Sequence, residues 1–364
     1  MRLTLVISQL GAGGAERVLS TMASHWADRG HHVTLLTLWG PDSDFYPLSP
    51  AVKRVPLRLA RSSPNLRETA RMSWRRLRAL RAEIRPARPD VVISFMDTIN
   101  ILTLVATRGL SIPVVVSERT DPAQHRIGAL RSWARRRTYG WADAIVVPSR
   151  GAARWVDENI RGPLLRVIPN PVRNTLGPAP PGQPRPERLV VALGRLSPEK
   201  QLDYLLRAFR CCSPRHPDWS LEIVGEGPDR GRLETLAAEF GIRQRVRFPG
   251  SVPDPETVLR KADLFVLTSR YEGFPNALLE AMACGLAVVS FDCPSGPSEI
   301  IRPGVDGVLV PAQDLAALAD SMDRLMSDAS ERRRLATRAV EVAERFGVER
   351  IMSMWEDVIG EVLA

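Results

Sequence analysis

Asp263-Leu-Phe-Val-Leu-Thr-Ser269, followed by Glu272-Gly-Phe-Pro-Asn-Ala-Leu-Leu-Glu280 and Ala281-Met-Ala-Cys-Gly285, sets an apolar run, a Gly/Pro turn and a helical segment in direct succession. The apolar run reads as a buried parallel strand, and Ala277 to Gly285 as a helix closed by a glycine cap. Strand, turn and helix N-terminus together form a ready anion pocket. Glu272 and Glu280 stand at its two edges, where carboxylates suit a ligand rich in hydroxyls.

The same strand-then-helix rhythm runs along the whole chain. Arg2–Ser8, His32–Leu38, Val91–Phe95, Val114–Ser117 and Ala144–Val147 read as strands of a first series, with a helix expected over Gly14–Arg29. Leu189–Leu193, Leu221–Val224, Arg245–Phe248, Leu264–Thr268 and Ala287–Phe291 read as strands of a second. Alternating β and α elements predict parallel sheets covered by helices on both faces. Between the series, Pro169 to Pro186 is too rich in proline and glycine to continue either element. The expected organisation is a doubly wound domain over 1–172, a linker over 173–187, a second doubly wound domain over 188–345, and a C-terminal helix over 346–364 packing back on the first domain. That last segment carries Ile351, Trp355, Ile359 and Val362 at helical spacing. Open α/β sheets bind ligands at the carboxyl ends of their strands, so function is expected in a cleft between the two halves.

With 364 residues, 44% of them hydrophobic, the chain suits two globular domains. The first apolar stretch, Leu3 to Ile7, is cut off by Ser8-Gln9, so it reads as a strand and not as a signal peptide, and a cytoplasmic location is expected. Cys211, Cys212, Cys284 and Cys293 lack metal-ligand or disulfide spacing. A net charge of +9 points to an anionic partner without choosing among nucleic acid, membrane and phosphorylated substrate. Two arginine-rich amphipathic stretches stand out. Ala70 to Ile84 has an apolar stripe of Ala70, Trp74, Leu77, Leu80 and Ile84 among arginines, and Arg126 to Trp141 joins Arg131, Arg135, Arg136 and Arg137 to Trp133. Helices of this kind lie on anionic lipid.

Further chemistry clusters at strand ends. Gly194-Arg-Leu-Ser-Pro-Glu-Lys200 follows the first strand of the second half, and its Arg195 and Lys200 suit a diphosphate, one as a fork and one as a point charge. Val224-Gly-Glu-Gly-Pro228 and Phe248-Pro-Gly-Ser-Val252 place small residues where a flat base approaches backbone. Gly11-Ala-Gly-Gly-Ala-Glu16 follows the first strand of the chain, but it lacks the third glycine and the acidic partner of a dinucleotide site.

Taken as a set, these motifs resemble the retaining GT-B glycosyltransferases of family 4, the group 1 glycosyl transferases. The resemblance implies two Rossmann-like domains and transfer of a sugar, from a UDP-sugar more than a GDP-sugar, to an acceptor hydroxyl with the anomeric configuration kept. It implies Glu272, Arg195 and Lys200 as catalytic. It places Gly14, Glu226, Val252, Phe274, Pro275, Asn276, Ala277 and Glu280, with the two cations, at the donor, and Gly13, Glu16 and Arg119 at the acceptor. Arg119, in Val116-Ser-Glu-Arg-Thr-Asp121, stands where many members carry histidine; an arginine cannot serve as a base. No metal or other cofactor is expected beyond the nucleotide-sugar co-substrate. The expected acceptor is a lipid-linked saccharide at the inner face of the membrane, in cell-surface polysaccharide assembly. Rival readings are a nucleotide-sugar epimerase or phosphorylase on the same fold, an inactive nucleotide-sugar binder, and a basic nucleic-acid-binding protein, for which the sequence holds no recognised motif.

Overall fold

Two fully parallel sheets organise the chain in a computed structural model that describes residues 1–60, 65–125, 127–173, 188–252 and 254–364. Contacts divide it into two compact units, Met1–Asn170 with Ile351–Ala364, and Pro171–Arg350. Most of the expected linker, from residue 174 to 187, lies outside the described residues, as does Arg126.

In the first unit, strands β1 (Arg2–Ile7), β2 (His32–Thr37), β3 (Lys53–Pro56), β4 (Val91–Phe95), β5 (Val114–Ser117), β6 (Ala144–Val147) and β7 (Leu164–Val167) pair in the order β3-β2-β1-β4-β5-β6-β7. The central strands β4, β5 and β6 are buried along their whole length, as strands covered on both faces must be. In the second unit, β8 (Arg188–Leu193), β9 (Trp219–Val224), β10 (Val246–Gly250), β11 (Leu264–Leu267), β12 (Ala287–Asp292) and β13 (Val308–Pro311) take the order β10-β9-β8-β11-β12-β13. The sequence reading missed β3, β7 and β13. Each is a four-residue edge strand, too short to set up a pattern, and β3 and β13 end in proline.

The helix Val348–Leu363 buries Ile351, Trp355 and Ile359, and from Ile351 on it belongs to the first unit. There Trp355 stacks on Phe95 with ring centroids 6.1 Å apart. The stripe expected on the Leu66–Ala87 helix needs correction: Leu80 and Ile84 are fully buried, but Trp74 is 56% exposed. Only the C-terminal half of the stripe meets the core, and Met72, nearer the start of the helix and outside the expected stripe, is buried as well. No helix among the described residues is long and apolar enough to cross a membrane.

Candidate functional site

In the second unit the chain lays down β8, works outward to β10, then returns to the other side of β8 with β11. The order reverses between β8 and β11, and a crevice opens at the carboxyl ends of strands at such a point. The turn leaving β8 carries Arg195 to Lys200, and the turn leaving β11 carries Thr268 to Pro275. Two hydrogen bonds hold these turns together: the Thr268 hydroxyl donates to the Lys200 carbonyl at 2.9 Å and the Arg270 N–H to the Glu199 carbonyl at 2.8 Å.

This brings together two site residues that are 72 positions apart. Lys200 Nζ donates to Glu272 Oε1 at 2.6 Å, and the Ser269 hydroxyl donates to the same oxygen at 2.6 Å. Both members of the ion pair are largely sheltered, so the pair is screened less than a surface one. Arg195 is exposed and, among the described residues, makes no hydrogen bond or ion pair.

Helix Asn276–Ala283 starts directly behind Pro275, its N-cap. Phe274 turns its ring inward, edge-on to Phe346 at 5.6 Å, so this segment offers a ligand backbone and not the aromatic face. Pro275 is buried, Asn276 and Ala277 are half-buried, and Glu280 lies one turn on, 7% exposed. The loop after β12, Cys293-Pro-Ser-Gly296, escaped the sequence reading although a Pro/Ser/Gly cluster closing a strand is a turn signal. Its Pro294 carbonyl lies 3.5 Å from the Glu272 N–H, and Ser295 and Gly296 have φ of 64° and 111°. A Cβ at Gly296 would stand 2.5 Å from Pro275 Cδ, so this glycine is what lets the loop close on the start of the helix. Burial pushes the neighbouring Cys293 thiol up to about 12.

The glycines expected to admit a flat base have another occupant. A Cβ at Gly225 would fall 1.9 Å from the Gly194 carbonyl oxygen, and one at Gly227 2.2 Å from that of Leu196. The close approach is between the loops after β8 and β9, sealed by the Leu196 N–H donating to the Glu226 carbonyl at 2.9 Å. The Glu226 side chain is turned to Arg230, and Val252 packs against the buried cluster around Phe265 and Leu267.

In the first unit, Gly13 caps helix Gly14–Asp28 at the end of β1. Glu16 folds back so closely that a Cβ at Gly13 would overlap its carboxylate, and burial raises its pKa against hydrogen bonds from its own N–H and Gln9. Arg119 is 8% exposed, its guanidinium carbon 4.1 Å from the Phe95 ring centroid and 5.6 Å from that of Trp355. One nitrogen donates to Asn170 Oδ1 at 2.7 Å; Nε and the other terminal nitrogen have no hydrogen-bond partner among the described residues. Burial pulls its pKa down to about 9. An unpaired buried cation is expensive, and only part of the cost is offset by the aromatic faces. Arg119→Met is therefore expected to stabilise the protein by about 1–3 kcal/mol, read as a higher melting temperature. A lower one would show that the ring and Asn170 contacts outweigh desolvation.

Comparison with known proteins bears on this geometry. Residues 12–175 match Glycosyltransferase Family 4 and residues 178–342 match Glycosyl transferases group 1. An exopolysaccharide phosphotransferase of Streptomyces coelicolor is 32% identical over 76% of this chain, which spans only 29% of that protein's length. The GalNAc-alpha-(1->4)-GalNAc-alpha-(1->3)-diNAcBac-PP-undecaprenol alpha-1,4-N-acetyl-D-galactosaminyltransferase of Campylobacter jejuni is 28% identical over 100% of this chain and 99% of its own. Among solved structures, sucrose-phosphate synthase from Thermosynechococcus elongatus superposes with a TM-score of 0.86 at 21% identity, over 100% of this chain and 99% of that one. Anabaena HepE, solved in complex with UDP-glucose, gives 0.80 at 19% identity, over 99% and 100%. Two parallel sheets of this topology and the family matches that between them span residues 12–175 and 178–342 make the chain a member of the group 1 glycosyltransferases, with the GT-B fold.

Proposed function

We propose that the protein moves a sugar from a UDP-sugar to a hydroxyl of a lipid-linked saccharide with retention of anomeric configuration, in the assembly of a cell-surface glycan. The observation that carries this reading is the Lys200–Glu272 pair at the β8/β11 switch point, with exposed Arg195 on the same turn as Lys200. Breaking a glycosyl–phosphate bond releases negative charge onto the diphosphate, and preorganised cations and helix-start N–H groups stabilise it as it forms. Lys200, Arg195 and the backbone at Asn276 and Ala277 take that role. The charge is thus met by protein groups, and the scheme routes no step through a metal.

Glu272 is a positioning carboxylate in this scheme: one of its oxygens receives both Lys200 and Ser269, which fixes the lysine. The incoming hydroxyl attacks on the face the diphosphate leaves, and a phosphate oxygen takes its proton. Support for the donor comes from HepE, crystallised with UDP-glucose, and for the acceptor from the Campylobacter enzyme, whose name specifies a saccharide on undecaprenol diphosphate. Arg119 holds the acceptor in this reading, so Arg119→Met, although the more stable protein, loses transfer.

Membrane association is part of the proposal. Trp74, Leu130 and Trp133, exposed by 56%, 74% and 63%, stand among arginines on the Leu66–Ala87 and Ala129–Thr138 helices. Ring and guanidinium together suit an anionic headgroup region. The protein should sediment with anionic liposomes at low salt and be released at high salt; failure to bind at low salt rejects this element.

The deciding experiment incubates the protein with UDP- and GDP-sugars in EDTA-containing buffer, reads the rise in melting temperature, then adds a lipid-diphosphate-linked saccharide as acceptor and determines the product anomer by NMR. A shift with UDP-sugars and a retained anomer are expected. Stabilisation by GDP-sugars alone, an inverted product, or dependence on added metal each removes the corresponding part of the reading.

A further inference from the structure

The first unit has its own topological switch point, between β1 and β4, where the strand order turns from β3-β2-β1 to β4-β5-β6-β7. A cavity of about 640 Å³ opens there, lined by Ser8 after β1, Trp39 after β2 and Asp97 after β4, and closed by Arg76, His125 and Arg131. Arg76 comes from the Leu66–Ala87 helix and Arg131 from the Ala129–Thr138 helix, so two separate elements deliver a guanidinium to one concavity. Their mutual repulsion adds to partial burial in pulling the pKa of Arg76 down.

Arg76 Nε donates to the Leu59 carbonyl at 3.1 Å, which anchors the side chain at the cavity wall. Asp97 accepts from the Thr98 hydroxyl at 2.7 Å, and its other oxygen lies 3.9 Å from His125 Nε2, so the one carboxylate faces the imidazole and not an arginine. Trp39 is 48% exposed and presents an apolar ring at the cavity wall. Two arginines from different helices, a carboxylate able to accept from a hydroxyl and an aromatic wall are groups of the kind that suit a phosphorylated polyol.

We propose that this cavity holds the acceptor by a phosphate or diphosphate group seated against Arg76 and Arg131, with Asp97 accepting from a hydroxyl of the attached sugar. The proposal rests on the glycosyl-transfer reading for the identity of the ligand as acceptor, but its anion site is measurable without turnover. Arginine forks bind phosphoryl oxygens with charge-assisted hydrogen bonds, and the loss of one is read directly in affinity.

The test is isothermal titration with inorganic pyrophosphate in saturating UDP, so that the donor site is filled. Wild type should bind, and Arg131→Ala, on an exposed position that does not threaten the fold, should weaken binding by about tenfold or more. Arg76→Ala should do the same, while the stabilisation by UDP stays as in wild type. Farnesyl diphosphate and glucose 1-phosphate then distinguish the source: tighter binding of the first assigns a lipid-linked phosphate, of the second a soluble sugar phosphate. Binding of pyrophosphate that is absent, or equal in wild type, Arg131→Ala and Arg76→Ala, overturns the proposal. Absence of any UDP effect, with arginine-dependent pyrophosphate binding intact, would instead count against the donor reading alone.

Discussion

Lys200→Ala is expected to lower kcat/KM for sugar transfer by about 10²–10³-fold, the scale seen when one preorganised donor to developing negative charge is removed. The lysine is held by a single carboxylate oxygen, 2.6 Å away, which itself is fixed by Ser269 and so cannot swing to compensate. Glu272→Gln should be impaired as well, because the amide keeps an acceptor oxygen but loses the charge that anchors the ammonium ion. The double variant should lose much less than the product of the two single effects, since either change breaks the same pair. Circular dichroism and the thermal transition should stay close to wild type, because the pair lies at strand ends and not in the core. Activity within threefold of wild type in Lys200→Ala would sink the assignment.

A second large effect is a fall in stability with rising pH, centred on Glu118. This carboxyl is fully buried; Tyr139 donates to one of its oxygens at 2.6 Å, Arg135 lies 3.6 Å from the same oxygen, and Asn100 donates to the Tyr139 oxygen at 2.9 Å. Desolvation outweighs Arg135 and the tyrosine and lifts its pKa from 4.5 to about 7. The native protein therefore keeps a proton that the unfolded chain releases above pH 4.5. The stabilisation is fully present below the unfolded value and is lost as pH rises to about 7, a change of roughly 3 kcal/mol. His31, whose pKa is lowered, works in the opposite direction in this range, but it is mostly solvated. Denaturant midpoints should fall between pH 5 and pH 7.5 in the wild type, and most of that slope should be lost in Glu118→Gln, with buried Glu16, whose pKa is also raised, contributing what remains in the same direction. An equal slope in both proteins would locate the effect elsewhere.

Much of this architecture was readable before any coordinates. The helices 14–28 and 348–363 and the central strands at 91–95, 114–117 and 144–147 were legible because buried parallel strands are continuous apolar runs and amphipathic helices repeat every three to four residues. The short edge strands β3, β7 and β13 left no comparable trace. At the site, Arg195, Lys200 and Glu272 announced themselves by residue type beside glycine and proline, and the helix was read from Ala277, one residue after its start at Asn276. The Cys293–Gly296 loop did not, because its role is to close on Pro275 and Glu272, and only proximity reveals that.

The sequence by itself determined the two α/β series, the turns that carry chemistry and the residues suited to phosphate and sugar. Patterning of this sort is local, and each turn's composition is written within a few residues. Tertiary structure alone decided that Lys200 meets Glu272, that Gly225 and Gly227 serve loop-to-loop packing, and that Arg119 is buried between aromatic rings and not on the surface. It also decided that Arg76 and Arg131 converge on one cavity. Each of these depends on strand order, which places distant segments side by side, and strand order is settled by the packing of whole elements and not by any one of them.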